Sequence, residues 1–459
     1  MKPQRIAVIG GGPIGVEAAL YGACAGFDVH LYEQGRIAEN VRQWEYIGLF
    51  TEWGRNRSPL ACRFLQERGE TLPPAELTSR GGELADYVVR LTSLAPLQGR
   101  VHPQTQVVAV TRERVLKSDF LDDPRRGQAP FRLLLRGAFG EKTVHADAVI
   151  DATGVYATPN YAGNGGAPCA GELACARLID YHLPDVSGRD RSRFANRHTL
   201  IVGSGHSAAS TLRSICDLLE EAPQTRVTWV VRRDVPAHGF PYTLDPNDSS
   251  PHRDALHRRA NELSRHPAVE FHPRTVIDKI AHDGKSFQVQ LNIAAPKDGT
   301  GEYSVRQETI PCDNIAAHTG FRPDFALWRE LQVDIHHATE GVLRQAQNVV
   351  RENRRLGIGL STGYAEKRPQ NAERESQAAE HTSTQSTSLQ PVANNPVTDN
   401  PVANDPELLR HCEPNFFVVG IKSYGRDAGF LMQNGFRQVR DVYKLLSGEP
   451  TLDLYNGEL

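Results

Sequence analysis

The sequence predicts an α/β chain carrying two Rossmann-like dinucleotide-binding units, on three observations. A short apolar run ends in a glycine-rich turn and a small-residue helical stretch near the start of the chain; the same order recurs about 190 residues later; and each copy leads into a second strand-like run with charge at its tip. At 459 residues the chain exceeds the roughly 250–300 at which one hydrophobic core stops growing, so two or three domains are expected.

In the first unit, residues 4–10 form the apolar run, Val16 to Ala25 continue at helical spacing, and Asp28 to Glu33 supply the next strand. Gly10-Gly11-Gly12-Pro13-Ile14-Gly15 satisfies GxGxxG where strand turns into helix. Gly10 allows the tight turn, Gly12 removes the side chain that would block a pyrophosphate, and Gly15 lets helix and strand pack closely. Glu33 lies 23 residues after Gly10, where a carboxylate can accept both ribose hydroxyls. Strand-like stretches at Val107–Val110, Phe131–Leu135 and Ala148–Ile150 complete this part of the chain.

The second unit opens with Thr199 to Val202 as strand, then Gly203-Ser204-Gly205-His206-Ser207-Ala208, the GxGxxA variant, a helix from Ala208 to Leu219 and a strand from Arg226 to Val231. Here the strand tip carries Arg232 and Arg233 in place of an acid. Guanidinium groups suit a 2′-phosphate, so NADPH is expected rather than NADH. Residues 372–406 lack aromatic side chains and end in a five-residue quasi-repeat beginning at Pro391, Pro396 and Pro401, which predicts a disordered surface insertion.

Composition narrows the function classes. Hydrophobic residues at 39% and charged residues at 23% are a globular mixture, and a formal net charge of −3 provides no positive field for nucleic acid. No apolar run approaches the roughly 20 residues of a membrane span, so no membrane insertion is expected. The basic and apolar start resembles a secretion signal only superficially, because Gly10 to Pro13 interrupt it. Seven scattered cysteines suit a reducing compartment, and a cytoplasmic location is expected. No metal site is expected.

With both turns in place, the chain resembles the two-dinucleotide-binding-domain flavoproteins, the pyridine nucleotide oxidoreductases that include thioredoxin reductases and flavin-containing monooxygenases. The resemblance implies an FAD domain interrupted by an inserted NADPH domain: residues 1–160, then 161–317 for NADPH, then 318–459 returning to FAD and carrying the 372–406 insertion. It assigns Gly10, Gly12, Gly15 and Glu33 to FAD, with Pro13 and Ile14 in the same turn, and Gly203, Gly205, His206, Ser207, Ala208, Arg232 and Arg233 to NADPH. Ala152-Thr153-Gly154 before Pro159, and His318-Thr319-Gly320 before Phe321, are similar to the two domain crossovers, which brings Thr153, Gly154, Thr319 and Gly320 into the cofactor set. Phe416 to Gly420, followed by Ile421, resembles the last FAD-contacting strand. Phe436, Val439, Tyr443 and Leu446 give the final helix an apolar stripe suited to core packing.

Departures from the family separate its branches. Dithiol reductases use paired cysteines, commonly CxxC, and none occurs here. Cys169 and Cys175 could pair only if their loop folds back, and read as ordinary thiols. A single-cysteine reductase group has cysteine between Pro13 and Gly15, where this chain has Ile14. Thioredoxin reductases carry aspartate after the closing glycine, where Ile421 stands. Val41-Arg42-Gln43-Trp44 keeps the tryptophan of the monooxygenase GGxW segment without its glycines, placing Trp44 among the cofactor candidates. The monooxygenase FxGxxxHxxxW/Y signature is not intact, and His182 reads as structural.

The function expected is hydride transfer from NADPH to FAD and on to oxygen or a small-molecule acceptor, on the monooxygenase-like side. The alternatives are a thioredoxin-reductase-like disulfide reductase lacking CxxC and a non-turnover flavin-binding redox sensor or scaffold. Partners beyond the small-molecule acceptor are confined to a second copy of the chain, a homodimer being one option. No catalytic acid or base is assigned. Residues 42–57, with Arg42, Trp44, Glu45, Tyr46, Trp53 and Arg55, and a second group, Lys422, Tyr424 and Arg426, are candidates to face the flavin ring. Residues 236–253, with His238, Tyr242, Asp245 and His252, read as a plain surface connection, the alternative being a mobile loop over the nicotinamide.

Overall fold

The computed structural model describes residues 5–235, 239–244, 250–296, 303–355 and 405–459. The first unit runs β1 (Arg5–Ile9), α1 (Pro13–Cys24) and β2 (Asp28–Tyr32), and returns at β3 (Ala148–Asp151). The second runs β4 (His198–Val202), α2 (His206–Cys216) and β5 (Arg226–Val230), and returns at β6 (Asn314–Ala317). The chain then re-enters the first unit with β7 (Phe416–Val418) and α3 (Met432–Ser447). The fold is α/β with two Rossmann-type parallel sheets, one of them completed from both ends of the chain.

The two sheets share a strand order. The first reads β7-β3-β1-β2 and then Val101–His102; the second reads β6-β4-β5 and then Val269–His272, and every pairing is parallel. In each, a three-stranded antiparallel meander precedes the returning strand: Gln106–Arg112, Phe131–Gly137 and Gly140–Ala146 before β3, and Thr275–His282, Phe287–Pro296 and Tyr303–Cys312 before β6. The stretches expected at Val107–Val110 and Phe131–Leu135 are therefore antiparallel cover, and only Ala148–Ile150 joins the parallel sheet.

Both faces of each sheet are packed, which is why the strands read as nearly continuous apolar runs. On β1, Ile6 and Val8 join the cluster with α1 and α3, whereas Ala7 and Ile9 join the cluster beneath the first meander. On β4, Ile201 faces α2, while Leu200 and Val202 face the second meander. The expected stripe on α3 is buried, and Tyr443 approaches α1 so closely that a Cβ on Gly22 would lie 2.1 Å from its hydroxyl. The second helix starts two residues earlier than expected, because Gly205 caps it and His206 is its first residue.

Buried charge ties the ends of the chain to the first unit. Glu413, just before β7, accepts Arg112 Nε at 2.7 Å and Arg126 Nε at 2.9 Å, all three side chains being essentially inaccessible. The 372–406 segment lies outside the described residues except for Asp405 and Pro406. Among the described residues no helix is long and apolar enough to cross a membrane.

Glu17, buried on α1, accepts the Tyr455 hydroxyl at 2.9 Å. Burial pushes its carboxyl up to about 7 against weaker lowering by Ser58, Tyr455 and Arg63. Below pH 4.5 the group is protonated in both states; as pH rises towards 7 the folded chain retains a proton that the unfolded chain releases, so stability falls across that window. Thermal melts of Glu17→Gln at the two ends of the window are expected to show a flatter pH dependence than wild type; equal slopes would contradict this assignment.

Candidate functional site

Each parallel sheet ends in a glycine turn at the start of a helix, and the two turns have the same construction. Gly10 has φ +104° and Gly203 has φ +118°, conformations that favour glycine, and a side chain at either would strike the returning crossover: Ala152 O at 2.6 Å in the first, His318 O at 2.3 Å in the second. A Cβ added at Gly12 or Gly205 would meet nothing within 4 Å. Both sit in ordinary extended backbone, φ −78° and −84°, so the lack of a side chain there serves open space. A Cβ on Gly15 would lie 1.8 Å from Gly10 O, and Ala208, fully buried, takes the corresponding place in the second turn. Each open position adjoins the positive end of its helix, with Pro13 and His206 as the first helical residues and Ser207 half-buried in the first turn of α2.

The tips of the second strands differ in sign. Glu33 Oε2 accepts Gly11 N–H at 2.6 Å and Oε1 accepts Gly35 N–H at 2.7 Å, so backbone amides fix the carboxylate beside the first turn while each oxygen keeps a lone pair. In the second unit Arg232 is exposed and Arg233 half-buried just beyond β5. Their backbone is anchored by Val231 N to His272 O at 3.0 Å and Arg274 N to Arg233 O at 2.9 Å.

The two crossovers lie side by side. Asn160 N–H donates to Gly320 O at 2.9 Å, its side-chain amide donates to Thr319 O at 3.1 Å, and Thr319 Oγ1 donates to Asn160 O at 2.6 Å. Tyr156, His182 and Phe321 cluster over this junction with ring centroids 4.4–5.3 Å apart, which gives His182 a packing role. His318 is buried against Thr211 Oγ1 at 2.8 Å, and burial lowers its pKa to about 4.

A buried ion pair joins the first crossover to the last strand. Asp151 Oδ2 accepts Lys422 Nζ at 2.7 Å and Trp328 Nε1 at 2.6 Å, while Oδ1 accepts Thr153 N at 2.9 Å and Thr153 Oγ1 at 2.7 Å. Burial opposes ionisation of Asp151, but Lys422 and these hydrogen bonds outweigh it and hold the carboxyl below the ordinary carboxylate value. Lys422 also donates to Thr153 Oγ1 at 2.9 Å. Lys422, a candidate in sequence to face the ring, is buried in this ion pair, and Tyr424 is buried against Asn434. Gly420 is held by Gln438 Oε1 at 2.8 Å, and a Cβ there would lie 3.6 Å from Ile14; the nearest atom to one on Gly154 would be Ile421 Cγ2 at 3.8 Å. Ile14, Gly154, Gly420 and Ile421 thus gather beside the first turn. Trp44 packs over Gly81 at the edge of the main apolar cluster.

Other expectations change. Within 42–57, Trp53 is buried edge-on to Tyr87, Arg42 pairs with Asp86, and Tyr46 donates to Leu183 O, so packing and contact between the units account for these side chains. Tyr242 is no surface residue: it is 1% exposed, because Asn261 bonds its N–H at 2.9 Å and its carbonyl at 2.8 Å, satisfying the backbone inside the core. His238 and Asp245 lie outside the described residues. Cys169 and Cys175 are free thiols; burial and the neighbouring Glu172 push Cys169 up to about 12, far from a reactive thiolate. Among the described residues no three His, Cys, Asp or Glu side chains form a metal-holding group.

A family model described as pyridine nucleotide-disulphide oxidoreductase matches residues 4–349. No curated protein matches the sequence. Among solved structures, the bacillithiol disulfide reductase of Bacillus cereus aligns with TM-score 0.61 and 14% identity over 97% of this chain and 99% of that one. The FAD-bound cadaverine monooxygenase of Erwinia amylovora aligns with TM-score 0.57 and 11% identity over 98% and 95%. The thioredoxin reductase of T. acidophilum gives 0.53 and 14% over 96% and 98%. At these identities the likeness is one of fold.

Lys422→Met leaves Asp151 buried without its cation and is expected to cost about 3–5 kcal/mol in denaturant unfolding. Adding Asp151→Asn should recover part of that loss, since the stranded charge is removed as well.

Proposed function

This chain belongs to the pyridine nucleotide-disulphide oxidoreductase family, and on that premise we propose that it is an FAD-dependent oxidoreductase that takes hydride from NADPH and passes electrons to oxygen or a small-molecule acceptor. The observation that carries the reading is the pair of like-built glycine cradles with opposite charge at the following strand tips, Glu33 at one and Arg232 with Arg233 at the other.

Hydride acceptance from reduced nicotinamide is the chemistry that FAD supplies when bound. Gly12 and Gly205 leave room for a diphosphate against the starts of α1 and α2, and the helix dipoles favour its charge. Glu33, fixed by Gly11 and Gly35, retains lone pairs for the ribose hydroxyls of FAD. Arg232 and Arg233 supply the charge that suits a 2′-phosphate and disfavours nothing in NADPH. Ile14 and Ile421 present aliphatic walls beside the first turn and keep water from it.

The acceptor is read as oxygen or a small molecule because the thiol machinery of the disulfide branch has no counterpart. Ile14 occupies the turn position where the single-cysteine group has its thiol, and Cys169 is held as a neutral thiol. Rapid reoxidation of the reduced protein by a low-molecular-weight disulfide would reverse this choice.

Valine at either open glycine tests the two cradles separately. Gly12→Val is expected to fold with the melting temperature of the wild-type apoprotein yet fail to bind FAD, whereas Gly205→Val should keep FAD and lose reduction by NADPH. Retention of both cofactors in both variants would overturn the reading. Anaerobic titration should bleach the flavin with NADPH in preference to NADH, and Arg232→Ala/Arg233→Ala should raise KM for NADPH by at least about tenfold while leaving that for NADH little changed.

A further inference from the structure

A column of rings begins in the first unit and runs beneath the second glycine turn. Phe50, on the strand Gly48–Glu52, lies 5.2 Å from the His206 ring, and His206 stacks on His257 at 5.1 Å and 7°. His257 stacks on Tyr242 at 4.5 Å and 7°, Tyr242 lies 6.1 Å from Trp229, and Trp229 lies 4.7 Å from Phe271. Two members of the column bond the turn itself. Trp229 Nε1 donates to Gly203 O at 2.8 Å, and the Tyr242 hydroxyl donates to Gly205 O at 3.2 Å. Phe50 packs against the apolar cluster of the second unit, and its carbonyl accepts Ser250 Oγ at 3.2 Å.

We propose that Phe50 is a positioning residue for the second dinucleotide site, acting through His206 and the ring column on the peptides of Gly203 to His206. The inference rests on the reading of that turn as the NADPH cradle. His206 is the first residue of α2, and its peptide nitrogen follows the open position at Gly205. Contacts that hold its ring restrain the Cα to which the peptides that a diphosphate would meet are bonded. The ring, exposed to solvent, lies between Phe50, tilted to it at 56°, and His257, stacked on it at 7°, and the carbonyls of both glycines are tied to lower members of the same column. One face of that clamp comes from the other unit, so the second site is complete only when strand Gly48–Glu52 is docked. The first unit thereby sets affinity at a turn to which it contributes no backbone.

The sequence gives no spacing signal for this contact, since Phe50 and His206 are distant in the chain and each has unremarked neighbours. A ring pair contributes about 0.5–1.5 kcal/mol, so loss of the upper face converts to a roughly three- to tenfold weakening of nucleotide binding.

The test uses FAD-loaded, full-length Phe50→Ala, Phe50→Tyr and Tyr242→Phe. Hydrogen exchange of the amides of residues 205–209 is measured without nucleotide, and NADP+ is then titrated calorimetrically. Phe50→Ala is expected to speed exchange at those amides, weaken NADP+ three- to tenfold and raise KM for NADPH in proportion, the change falling on KM and not on kcat. Phe50→Tyr, which keeps the ring, should restore wild-type values. Tyr242→Phe keeps the stack, removes only the hydroxyl from Gly205 O, and should move exchange and affinity in the same direction; it serves as the independent variant should Phe50→Ala fail to fold. Unchanged exchange in folded Phe50→Ala overturns the proposal, as does tighter NADP+ binding by Phe50→Ala, which would make Phe50 an obstruction; if Phe50→Ala does not fold, unchanged exchange in Tyr242→Phe overturns it. If the wild-type protein does not bind NADP+, the NADPH reading fails, and the exchange measurement alone decides the clamp.

Discussion

The buried carboxylate of Asp151 is the constraint around which the first site is arranged. A charge in that position must be neutralised and fully hydrogen-bonded, and its four partners come from Thr153, Trp328 and Lys422, three separate stretches of chain. Meeting that requirement fixes the crossover at Thr153-Gly154, seats the segment after β6, and brings the turn at Gly420 against Ile14. The glycine turn at Gly10 is in contact with the same crossover through Ala152. The residues that satisfy the buried charge therefore also set the shape around the first glycine turn.

The second unit reuses the strand order and the meander but not this solution. The place of Asp151 is taken there by Ala317, which carries no charge, and the next residue, His318, is buried with its pKa lowered to about 4. Support for its glycine turn comes instead from below, through Trp229 and Tyr242. Two turns of nearly equal backbone shape thus rest on different physics: an ion pair in one, stacked rings in the other. The strand tips differ in sign, one carrying a single acidic side chain and the other two guanidinium groups.

Much of the architecture was legible in sequence because its signals are local. A glycine at a positive φ, a missing side chain at Gly12 or Gly205 and a charge at a strand tip each act within a few residues, and spacing reveals them. The two strand–turn–helix beginnings and the burial of Phe436, Val439, Tyr443 and Leu446 followed from the same periodicities, whereas spacing did not separate the parallel strand at Ala148–Asp151 from the antiparallel ones at Gln106–Arg112 and Phe131–Gly137. What escaped were pairings across the chain. Asp151 and Lys422 are separated by 271 positions, and nothing near either residue announces the other. Tyr242 was misread because its neighbours are turn formers; the side chain that allows it to be buried, Asn261, lies in a later helix. Trp53 and Tyr46 carried an aromatic and polar composition equally suited to a ligand wall and to packing, and only tertiary contact distinguishes the two.

The 271-residue separation also sets a timetable. During synthesis at about 5–20 residues per second, Asp151 leaves the ribosome roughly 15–50 seconds before its cation exists. The second parallel sheet, whose strands are contiguous in the chain, can be finished in that interval. The first cannot, because β7, α3 and the Tyr455 contact to Glu17 all arrive last. The nascent chain therefore carries a half-built sheet with an uncompensated acid until residues 416–455 have emerged, and the first unit closes only then.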